Sequence, residues 1–322
     1  EFATARRILF GAGRIQDVPM LAAGMGENAF VISGYDTERS DALLVDLKLQ
    51  GIGSTRFTVA GEPTTDIIQE ATAQARDQKC DLVVGIGGGS VIDAAKAVAA
   101  LLTNAGDLFT YLEVIGQGQA ISRDPAPCIA IPTTAGTGAE VTRNAVMQSP
   151  EHQVKVSMRS PLMLPRKAVV DPALTLSLPS ALTASTGMDA LTQLLEAFVS
   201  RGANPLTDGI CREGMMRAAR SLERACTEGE DLAARTDMAV ASLFGGLALA
   251  NAKLGAAHGL AAPLGGQYAI PHGVVCARLL PLVMAANIEA LEKAGAAGER
   301  ALVRYAEVAR ILLGDARATA LD

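Results

Sequence analysis

The pattern of apolar and polar positions changes texture once, near Asp171-Pro172. Before that point, short apolar runs alternate with longer segments of helical period. Asn28 to Ser33 (NAFVIS) reads as a buried strand, and Ser54 to Val59, Asp81 to Ile86 (DLVVGI) and Cys128 to Ile131 read as further strands. Thr37 to Leu49, Thr64 to Gln78 and Ser90 to Leu102 read as the helices between them. Strand and helix in turn predict βαβ units around a largely parallel sheet. Val154 to Met158 and Ala168 to Val170 add two short strands. Beyond Pro172, helical periodicity runs through Ala181 to Val199, Pro205 to Cys226, Asp231 to Leu249 and Arg300 to Leu313, and no strong strand signal remains. The pattern therefore predicts an α/β domain over residues 1–171 and an all-α domain over 172–322. The boundary is set at Asp171 because a residue before proline is pushed out of the helical region.

A chain of 322 residues is long enough to give each domain a core. Aromatic residues are 3% of the chain and tryptophan is absent, which argues against stacking on nucleic-acid bases. The net charge of −6, with no basic run, argues against duplex nucleic acid or an anionic membrane as partner. The five cysteines (Cys80, Cys128, Cys211, Cys226 and Cys276) are scattered, with none at metal-knuckle spacing. They read as reduced, mostly buried thiols of a cytoplasmic protein. No leader pattern opens the chain, and no uninterrupted apolar run reaches the ~18 residues of a membrane span.

Two glycine-bearing turns carry candidate chemistry. Gly87-Gly88-Gly89-Ser90 follows a strand and opens a helix. The missing side chains let backbone approach a ligand, and the helix start offers free N–H groups, so a pyrophosphate fits there. The spacing is not the G-x-G-x-x-G of the Rossmann fold. The strand Asn28 to Ser33 ends on Gly34 rather than on the acid that often holds an adenosine 2′-hydroxyl. Room without a carboxylate favours NADP over NAD, unless Asp36 or Glu38 takes the acid's place. The second turn is Thr133-Thr134-Ala135-Gly136-Thr137-Gly138, just after a strand. Its hydroxyls can bond a ribose or a carboxamide without adding charge.

A third group suggests a metal. Asp189 and Gln193 lie four residues apart in a predicted helix and share a face. His258 and His272, two of only three histidines, lie in a glycine-rich segment between predicted helices. One carboxylate and two imidazoles can hold Fe(II) or Zn(II) with sites left for substrate oxygen. His152, in a polar turn, reads as solvated.

These motifs together resemble the iron-containing (group III) alcohol dehydrogenases. The matching segments are GGGSVIDAAK (Gly87 to Lys96), PTTAGTGAEVT (Pro132 to Thr142), DPALTLSLP (Asp171 to Pro179), GMDALTQLLEAFVS (Gly187 to Ser200) and HGLAAPLGGQYAIPHG (His258 to Gly273). The resemblance implies an α/β dinucleotide-binding domain followed by an all-α domain, the dehydroquinate synthase-like fold, with the active site in the cleft between them. It implies hydride transfer between NAD or NADP and a small alcohol, aldehyde or keto acid, and a homodimer. Gly88, Gly89 and Ser90 would cradle the pyrophosphate, with Gly34, Gly87 and Asp93 also on the cofactor side. Thr133, Thr134, Thr137 and Thr142 would line the nicotinamide side, with Asn144 and Lys155 at further cofactor-contacting positions. Asp189, Gln193, His258 and His272 occupy the four metal-ligand positions, and Asp189, His258 and His272 are the catalytic candidates.

Three departures accompany the resemblance. Gln193 replaces a histidine ligand, and an amide oxygen is a weaker donor to a divalent metal. Ala262 stands where many members carry a further histidine. The family also continues some tens of residues beyond Asp322, so the helical domain is expected to be incomplete at its C-terminus. The maleylacetate reductase branch departs from the metal pattern as well, but at the aspartate, which is present here as Asp189. The alternatives are therefore a metal-independent reductase of an activated keto acid, a metal-dependent cyclase or lyase like dehydroquinate synthase, and a non-catalytic cofactor binder.

Overall fold

Six of the strands join into one parallel sheet. The computed structural model describes residues 2–35, 37–268 and 270–322. Asp36, the alternative ribose contact, lies outside the described residues. The chain divides into two compact units, one made of Ala3–Thr134 with Ala139–Leu174, the other of Ala135–Gly138 with Thr175–Asp322.

In the first unit the elements run β1 (Arg7–Phe10), α1 (Val18–Ala22), β2 (Asn28–Ser33), α2 (Thr37–Leu49), β3 (Gly53–Thr58), α3 (Thr65–Asp77), β4 (Leu82–Gly87), α4 (Gly89–Thr103), α5 (Leu108–Tyr111), β5 (Cys128–Pro132), β6 (Asn144–Ser149), β7 (Val154–Arg159) and β8 (Lys167–Val170). The main sheet has the order β1-β8-β5-β4-β2-β3, and all its pairings are parallel. Alternate residues serve opposite faces, as a strand's period of two requires. Phe30, Ile32 and Val83 join the α3–α4 side with Ile68 and Ala94, whereas Ala29, Val31, Val84 and Ile129 join Val18, Leu43 and Leu47 on the other. The inner strands β2, β4 and β5 are covered on both faces and read as nearly continuous apolar runs, whereas the edge strand β3 is partly exposed. Thr64 stops α3 on its N-terminal side by accepting the Ile67 N–H at 3.2 Å. Pattern reading misses β6, which pairs antiparallel with β7: its burial alternates, but NAVMQS shows no polar–apolar alternation in sequence and has no aromatic residue.

The second unit is helical: α6 (Ser180–Val199), α7 (Pro205–Thr227), α8 (Leu232–Ala252), α9 (Ala256–Gln267), α10 (His272–Lys293) and α11 (Glu299–Leu313). Asn204 caps α7 in a capping box with Thr207, ahead of Pro205, and Asp231 caps α8 through Ala233 and Ala234. Helix α6 packs against α7, α8 and α10. Its Leu194 and Phe198 enter a core shared with Met215, Met238 and Ala241.

One expectation about local structure is corrected here. The glycine-rich segment around His258 is not a loop: Ala256–Gln267 is a helix, despite Pro263 inside it, and His272 begins another. Gly265 and Gly266 are buried in α9. Intrinsic propensity is a weak prior, and tertiary packing overrides it where small residues allow close approach.

Candidate active site

Strand order turns back on itself between β2 and β4, and open α/β sheets bind ligands beyond the carboxyl ends of the strands at such a point. Ser33 lies in register with Ile86, and Gly87 with Pro132, so Gly34, Gly88 and Thr133 leave neighbouring strand ends. The Thr133 N–H donates to the Gly87 carbonyl at 2.9 Å. Gly88 is the cap of α4 and contributes no side chain to it, which leaves the first-turn N–H groups of Gly89 and Ser90 without intrahelical partners. A Cβ on Gly87 would lie 2.6 Å from Val91 Cγ2, so this glycine is required by packing. Among the described residues, a Cβ on Gly88 would meet only Thr134, at 3.4 Å, so packing does not require this glycine. Beside Gly34 the nearest atom to an added Cβ is 4.0 Å away, and Glu38 is exposed.

Other residues counted with the cofactor turn to bracing. Lys96 is buried and donates to the Ala139 carbonyl and the Thr142 hydroxyl, both at 3.0 Å, and to the Asn144 carbonyl. It also pairs with Asp93 at 2.8 Å, and Asp93 accepts the Val146 N–H at 3.0 Å. Burial pushes the Asp93 carboxyl above its ordinary range, against the pull of Lys96. Thr142 is buried and its hydroxyl also meets the Ala139 carbonyl at 3.2 Å. Asp93, Thr142 and the Asn144 backbone thus fasten the chain after the threonine loop to α4. Lys155 is held by Glu62 at 2.6 Å.

Within the helical unit, Gly136 and Gly138 are fixed by contact. A Cβ on Gly136 would lie 2.8 Å from Thr186 Cβ. Gly138 has a φ of +60°, and a Cβ there would lie 2.6 Å from Gly246 Cα. Thr137 sits between them, half-buried.

The metal candidates converge in the same unit. Asp189, Gln193 and Glu196 follow at i, i+4 and i+7 along α6, on one face. His258 stands in the first turn of α9, and His272 and Cys276 in the first two turns of α10. Gly273 makes that placement possible, since a side chain there would collide with the Ser185 carbonyl. His258 Nε2 is 3.2 Å and His272 Nε2 3.7 Å from Asp189 Oδ1. Cys276 Sγ lies 3.5 Å from His272 Nε2 and 3.8 Å from His258 Nε2. One donor atom from each of these four residues lies within 4.8 Å of every other.

Glu196 sets the geometry of His258. It accepts the backbone N–H of Ala257 at 2.7 Å and lies 2.6 Å from His258 Nδ1. Nδ1 therefore carries the proton toward Glu196, and Nε2 is presented to Asp189 and Cys276. Burial would lower the His258 pKa, but contacts with Asp189, Cys276 and Glu196 outweigh it and hold it well above the ordinary value. Burial would likewise raise Asp189, but His258 and His272 bring it below its ordinary range.

Gln193 is close but differently engaged. Its Nε2 points to Asp189 Oδ2 and to the Gly136 carbonyl, each at 3.4 Å, while its buried Oε1 has no partner among the described residues. Pattern reading missed Glu196 and Cys276. Their signals were helical spacing: Glu196 three residues after Gln193, and Cys276 four after His272.

Residues 5–172 match the family described as iron-containing alcohol dehydrogenase, and residues 183–322 match the C-terminal part of the Fe-containing alcohol dehydrogenase family. The chain belongs to the iron-containing alcohol dehydrogenase family. It is 41% identical over 249 residues to the 1,3-propanediol dehydrogenase of Klebsiella pneumoniae, covering 77% of this chain and 63% of that protein. It is 42% identical to the 4-hydroxybutyrate dehydrogenase of Cupriavidus necator, covering 75% and 64%. The chain thus spans under two thirds of the length of these relatives. The crystal structure of a 1,3-propanediol oxidoreductase superposes with a TM-score of 0.90 at 35% identity, over 100% of this chain and 82% of that one. Membership in the iron-containing alcohol dehydrogenases implies a nicotinamide cofactor and a divalent metal. The donor chemistry of Asp189, His258, His272 and Cys276 fits such a metal, with Glu196 orienting one imidazole.

Proposed function

We propose that the protein is an NAD(P)-dependent alcohol dehydrogenase, or aldehyde reductase, for short primary alcohols and their aldehydes. The carrying observation is the buried Asp189 with His258 and His272 on one oxygen and Glu196 behind His258. Chain length and functional groups of the named relatives' substrates support the substrate class: a three-carbon diol and a four-carbon hydroxy acid.

When bound, the nicotinamide exchanges a hydride and the divalent metal polarises the substrate oxygen. The chain's own parts do the rest. Asp189 supplies the negative charge of the cage, and His258 and His272 supply neutral imidazole donors. Glu196 keeps His258 in the tautomer that leaves Nε2 free for binding. The N–H groups of Gly89 and Ser90 receive pyrophosphate oxygens, and Gly34 leaves space for a 2′-phosphate, so NADP is used at least as well as NAD. Thr133, Thr134 and Thr137 orient the nicotinamide by hydrogen bonds. The unit holding β1–β8 is the dinucleotide-binding domain and the helical unit the metal- and substrate-binding domain. The enzyme works in the cytoplasm, consistent with five unpaired cysteines, and as a homodimer.

The test is NADH and NADPH oxidation by the purified chain over aldehydes and keto acids of two to six carbons. Turnover of short aldehydes with kcat/KM for NADPH at or above that for NADH is expected. Tight cofactor binding without turnover of any of them would refute the reading, and a strong NADH preference would refute the role of Gly34.

A further inference from the structure

A family ligand has changed at position 193, yet the cage still presents four donors. We infer that Cys276 is the fourth metal ligand and that Gln193 is a positioning residue for Asp189. The inference rests on the proposed metal-dependent reading.

The geometry of Gln193 argues against ligation. Its NH2 group lies between two acceptors, Asp189 Oδ2 and the Gly136 carbonyl. Turning the amide to present oxygen to the cage would set that oxygen against both. The present Oε1 lies on the Gly245 side, where an added Cβ would be 3.3 Å from it. Gln193 therefore offers a donor to Asp189 where a ligand would have to offer a lone pair. It steadies the carboxylate that carries the cage's charge.

Cys276 meets the opposite description. It is buried, one helical turn beyond His272, and the α10 helix sends both side chains to the same face. A tetrahedral Zn(II) site with bonds of about 2.0–2.3 Å spaces its ligand atoms roughly 3.3–3.7 Å apart. The observed separations of Sγ from the two imidazoles, 3.5 and 3.8 Å, and of Asp189 Oδ1, 3.2 and 3.7 Å, lie within or just outside that range. Binding a divalent metal here would release the thiol proton and the protons on the ligating imidazole nitrogens to water, leaving sulfur and nitrogen lone pairs for the metal. A thiolate beside two imidazoles is a softer set than an all-nitrogen-and-oxygen one and suits Zn(II). A zinc held by these four residues would supply Lewis-acid polarisation to a substrate oxygen, since such sites can expand beyond four ligands. His272, whose side chain is 32% exposed, marks the side left open.

Cobalt(II) reports thiolate ligation by a sulfur-to-metal charge-transfer band in the near ultraviolet, independent of turnover. The chain stripped of metal and titrated with cobalt(II) is expected to bind one equivalent and show the band. Cys276→Ser should lose the band and weaken cobalt binding by more than the ~10–100-fold that loss of an outer partner costs. Gln193→Ala should keep both band and stoichiometry, and circular dichroism checks that each variant is folded. One equivalent of cobalt bound without the band overturns the ligand assignment while the proposed function stands. Loss of binding in Gln193→Ala with the band kept in Cys276→Ser also overturns it. Failure to bind cobalt at all overturns both.

Discussion

The proposed cofactor edge and the candidate metal cage pose opposite problems. At the edge, Gly87-Gly88-Gly89-Ser90 is one contiguous stretch whose chemistry is backbone N–H groups and absent side chains. In the cage, Asp189, Glu196, His258, His272 and Cys276 come from three helices, and the chemistry is all side chain. A backbone site tolerates little added volume but does not depend on side-chain identity. A side-chain site fails when a donor is lost, unless a side chain from another helix takes its place. On the proposed assignment, Cys276 of α10 is the donor that Gln193 of α6 is not.

The largest effect expected is from His258→Ala. It removes the imidazole joined to both Asp189 and Glu196. Metal content should fall below a tenth of an equivalent and turnover by about a thousandfold or more, since the Lewis acid is worth several kcal/mol. Elemental analysis beside steady-state rates reads both, and full activity in the variant would break the contrast. Next comes Glu196→Gln, which keeps shape but weakens the acceptor facing His258 Nδ1. A ~10–100-fold loss of metal affinity is expected by competition with a chromophoric chelator, with cofactor affinity unchanged. Unchanged metal affinity would mean that Glu196 only fills space.

Gly88→Ala attacks the other side of the comparison. The structure has room for the methyl in the fold, so thermal stability should hold while the Kd for NADPH rises about tenfold, by blocking close backbone approach. Fluorescence titration measures it, and unaltered binding would remove the pyrophosphate from this turn. The smallest effects are on pH-dependent stability, and they run in opposite directions in the two units. Burial pushes the Glu140 carboxyl, in the cofactor unit, up from 4.5 to about 7. Its contribution is full below pH 4.5 and is lost as pH rises through about 7. Burial would raise Asp237, in the helical unit, but Arg220, Ser221 and Arg217 outweigh it and hold it down at about 2. Its contribution is present above the ordinary value of 3.8 and is lost as pH falls through about 2. Melts across pH 3–8 should show Glu140→Gln flattening the alkaline limb and Asp237→Asn flattening the acid limb, each by a few degrees. Neither should change metal content.

The same contrast decides what a reader of the sequence could see. The parallel sheet was legible because strands covered on both faces are apolar throughout, as in NAFVIS and DLVVGI. The proposed cofactor turn lies in one contiguous stretch between β4 and α4, so a strand–glycine–helix pattern is enough to single it out. Asp189, His258 and His272 were recognisable as residue types, but their distances came only from the packing of α6, α9 and α10. Helices α9 and α10 were hidden by Pro263, Pro281 and their glycines, which local propensity counts against a helix. Cys276 read as one more buried thiol until α10 placed it a turn below His272. Lys96 has the charge to meet an anionic ligand, but it binds Asp93, Thr142 and two carbonyls. Nothing in its local spacing distinguishes these roles.

The central claim is that the helical unit holds a metal on which reduction of a short aldehyde depends. The direct measurement is the rate of NADPH oxidation with a three-carbon aldehyde before exhaustive chelation, after it, and after adding back Zn(II) or Fe(II). The account predicts loss of at least nine tenths of the rate and its recovery with about one equivalent of metal per chain. Full activity in protein shown by elemental analysis to be metal-free would contradict it.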